Sequence, residues 1–358
     1  MSSAQPSIEP INIKFDPRLL WGLHYLDSEV PPTVHLTPRP PLIDGIPDGI
    51  VAIIAPVVAY WVFSMFFHLL DTFKLAEQYR IHPGEAEKEE NQATRIEVLR
   101  EVLLQHVIQS IVAYIAYKYD PVPMTGFEHN EIWKLKRSIF KFLRSHDIDP
   151  ERLAPIINNK TITFFYNYGI SAIKLFLGFL FIDTWQYWLH RLMHLSKTLY
   201  KYCHSIHHQL YVTYAYGALY NNPLEGLILD TLGTGIAMTI TRLTPREQII
   251  LFTLATMKTV DDHCGYVLPF DPFQMFFANN AVYHDIHHRK WGLKTNFAQP
   301  FFTFWDTLFG TRNKAMVKEL NLGKKIDIKE YKTFLDNREK ERAERLKAFK
   351  ASMEKKNE

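Results

Sequence analysis

The sequence predicts an all-α integral membrane protein, with transmembrane helices supporting a cytosolic, helical histidine-box metal site. Two observations carry that expectation. Long uncharged apolar runs punctuate a 358-residue chain that is 47% hydrophobic. Eight of its 16 histidines fall into three short boxes. A mean hydropathy of −0.14 excludes a chain that is membrane from end to end.

Taken in order, residues 1–47 are expected to be irregular. Pro31, Pro32, Pro38, Pro40 and Pro41 lack the amide N–H that a helix interior needs. The start, MSSAQPSIEP, has no basic-then-apolar signal peptide, so the first span is expected to act as the insertion signal. Residues 48–160 form an N-terminal membrane-helix region. Within it Gly49–Leu70 carries no charge and is long enough to cross about 30 Å of hydrocarbon. Val102–Tyr117 is a shorter second span. Residues 161–315 hold the boxes. Thr161–Leu189, apolar apart from Lys174 and Asp183, runs directly into the first of them. Leu224–Ile240 and Ile249–Met257, separated by the turn-like Leu243–Glu247, suit a helical hairpin, in the membrane or in a buried core. Residues 316–358 form a charged tail. Arg338–Lys356 mixes Lys, Arg and Glu at helical spacing, as a solvated helix does, and its mixed sign argues against nucleic-acid binding. Lys355 and Lys356 match the dilysine retrieval signal of endoplasmic reticulum membrane proteins, which would put the C-terminus in the cytosol. The sequon Asn159-Lys160-Thr161 would mark a lumenal loop if glycosylated.

The boxes are HRLMH (His190, His194), HSIHH (His204, His207, His208) and HDIHH (His284, His287, His288), with His263 between the last two. On a helix, positions three and four apart share a face. His190 therefore projects with His194, His204 with His207 and His208, and His284 with His287 and His288. Nine imidazoles exceed the four ligands one zinc ion usually takes, and the boxes lack the Glu-x-x-His pattern of soluble di-iron bundles. The expectation is an all-histidine dinuclear site, with two iron ions as the metal and dioxygen activation as the task. Zinc has no redox chemistry to offer an unactivated C–H bond. Neighbouring spans point to a lipid substrate.

Asp183, Gln186, His190 and His194 fall on one helical stripe. Asp183 and Gln186 are candidates to accept the second ring N–H of a ligand histidine. In TVDDHCGY, Asp262 is a candidate of the same kind, and Asp285 within the third box is a weaker one. Cys203 and Cys264 form no CxxC pattern and read as small buried residues. LGTGIAM lacks the third glycine and the preceding strand of a dinucleotide loop. His82-Pro83-Gly84-Glu85 resembles a haem-ligand loop but lacks its last glycine, so His82 reads as an ordinary loop residue and the chain is expected to carry no electron-transfer domain.

The three boxes, spaced in this way behind an apolar segment, resemble the fatty acid hydroxylase/sterol desaturase superfamily over roughly residues 160–310. DTWQYWLHRLMH, YAYGALYNNPLEG, TVDDHCGYVLPFDPF, NNAVYHDIHH and KTNFAQPFFTFWDTLFGT are similar to the sphinganine C4-hydroxylases, and the likeness continues upstream into DGIVAIIAPVVAYWVFS. The resemblance implies a di-iron monooxygenase of the endoplasmic reticulum that hydroxylates C4 of a sphingoid base, free or in a dihydroceramide. It implies O2 as oxidant and electrons from NADPH through a reductase and cytochrome b5. Related sterol oxidases carry a His before Pro-Leu-Glu. Here that place is Asn222, a ligand through water or simply a turn residue. Because C4 lies only a few bonds from the head group, head-group anchoring must set the position of attack. Tyr214, Tyr216, Tyr220 and Asn222 are the candidates for it. The competing readings are a sterol methyl oxidase or lipid desaturase, and, outside catalysis, a His-rich zinc transporter.

Overall fold

The computed structural model describes residues 30–153, 155–320 and 327–357. Positions 1–29 of the expected irregular segment lie outside them. The main helices are α1 (Asp48–Phe73), α2 (Arg95–Tyr117), α3 (Glu128–Ser145), α4 (Ile170–Leu195), α5 (Gly233–Thr241), α6 (Pro245–Asp262), α7 (Ala281–His288) and α8 (Ile328–Asn357). The strands among the described residues are Thr37–Pro38 and Met124–Thr125, paired antiparallel. The chain divides into two compact units. One holds the described residues up to Pro40 together with Val122–Ile173, and the other holds Pro41–Pro121 and Lys174–Glu358. The smaller unit buries Phe140 of α3 against Ile162.

Among the described residues, three helices are long and apolar enough to cross a membrane: Asp48–Phe73, Arg95–Tyr117 and Asn159–Leu195. The third includes the expected apolar run and extends through the first box. A span needs only about 20 residues, so a 37-residue helix has turns to spare outside the hydrocarbon. Each span is built from local signals. Thr94 opens α2 with a capping box, its hydroxyl on the Glu97 N–H and the Glu97 carboxylate back on the Thr94 N–H. Lys74 ends α1 in the left-handed region at φ 52°.

The faces divide as a lipid-embedded pair requires. Ile54, Val58, Val62, Phe66 and Leu69 on α1 are exposed at helical spacing, as are Leu99, Leu103, Val107, Ile111 and Ile115 on α2. A stripe of that size on a water-soluble surface would be an aggregation hazard. In a bilayer it meets acyl chains at no cost. The opposite faces bury Tyr60 and Phe67 of α1 and Val98 and Val102 of α2 in the main core, with Tyr187, Leu210, Ile286 and Phe297.

The expected hairpin forms between α5 and α6. Arg242 turns the chain in the left-handed region at φ 51°, and Thr244 caps α6 with Glu247. Neither helix is among the candidate spans. α6 buries Glu247, Lys258, Asp261 and Asp262 alongside Leu251 and Val260, so it belongs to the protein core. The charged tail is a helix, but its first turns are docked: Tyr331, Phe334 and Leu335 are buried, and the Tyr331 hydroxyl donates to Asp285 at 2.6 Å.

Among the described residues, three short stretches are wound as π-helix: Phe165–Gly169, Tyr200–His204 and Leu227–Leu232. The second carries the start of the HSIHH box. Its remainder, His207–Gln209, is a 3-10 turn, so that box does not lie on the regular α-helix that its spacing suggests.

Two glycines test the packing. A Cβ at Gly292 would collide with the backbone carbonyl of Ile286, inside the third box, whereas a Cβ at Gly235 meets open space. Gly292→Ala should lower stability by about 1–3 kcal/mol. Gly235→Ala should be neutral or stabilise by about 0.5–1 kcal/mol. Thermal unfolding in detergent ranks the two, and equal midpoints would contradict the packing described.

Candidate metal centre

The structure gathers all nine predicted histidines, every one buried, into two adjacent groups. His190, His194, His204, His208 and His287 form one, and His207, His263, His284 and His288 the other. Within each group the ligating nitrogens all lie within 4.8 Å of one another. The second box thus sends His204 and His208 one way and His207 the other. The third sends His287 one way and His284 and His288 the other. The first box serves the larger group alone, and His263, at the end of α6, serves the smaller.

The rings meet through Nε2. In the larger group the Nε2 atoms of His190 and His204 are 3.0 Å apart, those of His194 and His190 3.1 Å, and those of His208 stand 3.1 Å from His194 and 3.0 Å from His204. In the smaller group the separations are 3.4 Å for His263–His207, 3.0 Å for His284–His263 and 3.1 Å for His288–His284.

The reverse side of the rings shows which nitrogen carries the proton. Nδ1 donates to a backbone carbonyl in His190 (Phe297, 2.8 Å), His207 (Tyr220, 3.2 Å), His263 (Thr259, 2.8 Å), His287 (Thr295, 2.7 Å) and His288 (Leu210, 2.8 Å). A carbonyl only accepts, so those rings hold their proton on Nδ1 and present a bare lone pair at Nε2. Loss of hydration on burial drives the pKa of His204 down to about 3 and that of His207 to about 4. Burial, aided by neighbouring imidazoles, holds His263, His284, His287 and His288 well below the ordinary value. The rings are therefore neutral. Two lone pairs facing at 3.4 Å, as in His207 and His263, repel unless a cation lies between them. The Nε2 of His287 is buried without a protein partner. The donor set suits two metal ions, in the form that imidazole uses to bind metal.

Carboxylates hold this arrangement from outside. Glu225 accepts from His204 Nδ1 at 2.6 Å, and burial pushes its carboxyl up to about 7. Asp183 accepts from the Phe301 and Phe302 amides at 3.1 and 2.5 Å. Asp306 accepts from Phe297 and Ala298 at 3.1 and 2.7 Å. Together they clamp the loop whose Phe297 carbonyl holds His190. Asp262 binds Lys258 and, at 3.2 Å, Asn279, and Asn279 in turn binds the Pro300 carbonyl. Gln186 donates to Asp230 at 3.0 Å. Asp183, Gln186 and Asp262 thus bind loops and side chains around the rings, and Glu225 holds the ring contact. Its sequence signal is the acid of NNPLEG, three positions after Asn222. Asn222 caps a helical turn through Leu224 N and reaches the Tyr202 carbonyl.

His82 needs a correction. It is not an ordinary loop residue: its Nε2 lies 2.8 Å from Asp285 Oδ1, and Asp285 is shared with Tyr331. The acid inside the third box therefore binds His82 and Tyr331 rather than an imidazole of either group, and ties a loop and α8 to the box.

A cavity of about 810 Å³, within the usual range of small-molecule sites, lies among α1, α2, α4, α5 and α6. A smaller one reaches His204, His207, His263 and His284. Gln186, Leu219, Asp230, Thr259 and Pro300 line both, so these side chains are the shared wall, or neck, at which the two cavities adjoin. Tyr214, Tyr216, Tyr220 and Asn222 line neither. Arg95 stacks over Tyr214 and Tyr216, and Tyr220 donates to Gln209 at 2.9 Å.

Glu225→Ala should weaken metal retention about 10- to 100-fold, with Glu225→Gln milder because its amide oxygen still accepts. Metal per chain after graded chelation measures this, and retention equal to wild type would reduce the bond to a packing role. His82→Ala, which strips Asp285 of a partner, should cost about 1–3 kcal/mol. An unchanged unfolding midpoint would return His82 to the status of a loop residue.

A model of the fatty acid hydroxylase family matches residues 175–311. The chain is 57% identical to sphingolipid C4-hydroxylase SUR2 of Saccharomyces cerevisiae over 92% of its own length and 89% of that protein. It is 44% identical to sphingolipid C4-hydroxylase sur2 of Schizosaccharomyces pombe, over 73% and 87% of the two chains. It is 40% identical to sphinganine C4-monooxygenase 2 of Arabidopsis thaliana, over 74% and 88%. No solved structure matches it. Both imidazole groups fall inside the matched segment, and the likeness runs on through the helices that wall the cavity: the chain belongs to the fatty acid hydroxylase family.

Proposed function

We propose that this protein is a di-iron monooxygenase that hydroxylates C4 of sphinganine or dihydroceramide, giving phytosphingosine-type products in sphingolipid biosynthesis. The observation that carries the reading is two adjacent groups of neutral imidazoles beside an apolar cavity walled in part by helices long and apolar enough to span a membrane. The names of the relatives agree with it. His190, His194, His204, His208 and His287 would hold one iron, and His207, His263, His284 and His288 the other. When bound, the iron pair supplies the redox chemistry that lets O2 attack an unactivated C–H bond.

The chain's own residues do the rest. The Nδ1 anchors fix the direction of each Nε2. The clamped loop and the buried rings keep bulk water from the reacting carbon. The apolar cavity takes the alkyl chain from the bilayer. One oxygen atom enters the C4–H bond and the other leaves as water, which requires two electrons and two protons. These come from NADPH through a reductase and cytochrome b5, as in the hydroxylases the chain resembles. The protein is a multi-pass membrane protein. Its assignment to the endoplasmic reticulum rests on the resemblance to the sphinganine C4-hydroxylases.

Purified protein loaded with iron should convert sphinganine to its C4-hydroxylated product when NADPH, reductase and cytochrome b5 are all supplied, and should be inert with NADPH alone. His208→Ala should abolish turnover while the protein stays in the membrane. Lipid mass spectrometry reads the product. A double bond, an oxidised sterol, or full turnover by His208→Ala would overturn the assignment.

A further inference from the structure

The large cavity is apolar along most of its wall, yet three of its lining residues carry buried polar atoms with no hydrogen-bond partner among the described residues. They are His106 Nε2, Asp230 Oδ2 and Thr231 Oγ1. Leaving such an atom unpaired costs about 1–3 kcal/mol, and folded proteins leave few. Three around one cavity mark a place where a ligand brings the missing partners. A small number of placed polar groups in an apolar pocket is also how ligand sites fix orientation.

The position of the three is informative. His106 stacks edge-on against Tyr60, with ring centroids 4.8 Å apart. Asp230 lies at the neck beside the imidazoles, its other carboxylate oxygen held by Gln186 at 3.0 Å, with the Gln109 amide also facing its carboxylate. It sits on the π-helical stretch Leu227–Leu232, and π-turns gather at functional sites. From this level the cavity runs along three helices: from Tyr60 to Gly49 on α1, from His106 to Tyr117 on α2, and from Thr259 to Gln248 on α6. At 1.5 Å per residue each path is about 16 Å long, room for most of a long alkyl chain. The end at Asp230 thus adjoins the imidazoles, and the other end leads away from them past apolar wall to Tyr117, Asp120 and Gln248.

We propose that Asp230, with His106 and Thr231, binds the amino-diol head of the long-chain base at the neck of the cavity, and that this contact sets the distance from the head to the metals. The inference rests on the reading of the protein as a sphingoid-base hydroxylase. The carboxylate is a pure acceptor. The head offers an amine or amide N–H and hydroxyl O–H groups, and Asp230 takes the nitrogen. His106 and Thr231 take hydroxyls. The tail then lies along the α1–α2 wall, and the carbons just past the head come first under the imidazoles.

The test uses iron-loaded full-length protein, sphinganine, and the deaminated diol of the same chain length. Asp230→Asn should lower kcat/KM for sphinganine by about tenfold or more, the loss of one charge-assisted bond, and leave the diol nearly unchanged. His106→Phe, which keeps the ring against Tyr60, should weaken both substrates alike. Iron per chain, equal to wild type, shows that the variants are folded. An equal loss on both substrates for Asp230→Asn, or no loss on either, overturns the proposal. If wild-type protein makes no C4 product, the hydroxylase reading fails by itself, and the dissociation constants of the same two lipids for wild type and Asp230→Asn decide the head-group site. A preference for sphinganine that Asp230→Asn removes supports it, and identical affinities sink it.

Discussion

The site depends on one constraint: imidazoles are pinned from behind. Each Nδ1 bonded to a carbonyl fixes a tautomer and a ring plane, and only then do the Nε2 lone pairs converge. The carbonyls belong to Phe297, Tyr220, Thr259, Thr295 and Leu210. Apart from Thr259 on α6, they lie in connecting segments. The helices bring the histidines near one another, but connecting segments aim most of them. This explains why acids are invested in the loop after the third box. Asp183 and Asp306 spend their carboxylates on four backbone amides there. The loop's carbonyls could not otherwise stay in register with α4.

Local chemistry made much of this legible. A box at spacings of three and four declares a shared face, and the eight ring positions of the boxes were readable for that reason, whereas His263 stood out only as a lone histidine beside two acids. The first two spans were readable from their apolar runs, although the second helix begins a charged stretch earlier, at Arg95, than the run at Val102–Tyr117 announces. What was not readable arises from contacts between distant segments. The division of HSIHH between two groups depends on its leaving α-helical winding, which no spacing announces. Asp183 shares a helical stripe with His190, yet it acts on amides 118 and 119 positions away. His82 looked idle in a charged loop because its partner, Asp285, is 203 positions away. Glu225 and Asp230 did leave a signal. Each is an isolated acid beside or within an apolar run, where an ionisable group needs a reason to exist.

The core and the membrane face are also linked. α1 and α2 present one stripe to lipid, bury another against the histidine-bearing core, and leave a third to wall the cavity. Three environments on one helix leave little room for a strong amphipathic pattern. That is why the first segment reads as uniformly apolar, and why the Gln and His of the second, His106 among them, show no face of their own in the sequence.

The π-wound stretches carry a consequence for how such a chain can change over time. A π-turn holds one residue more than the α-turn it replaces, and one residue is about 100° of helix rotation. Deleting a single position within Tyr200–His204 would restore regular winding and swing His204 away from His190. A deletion within Leu227–Leu232 would turn Asp230 from the neck of the cavity. Substitutions can accumulate around these stretches, whereas length changes cannot. In a lineage of related chains, the spacing from His194 to His204 and from Glu225 to Asp230 should drift less than the residues that fill it.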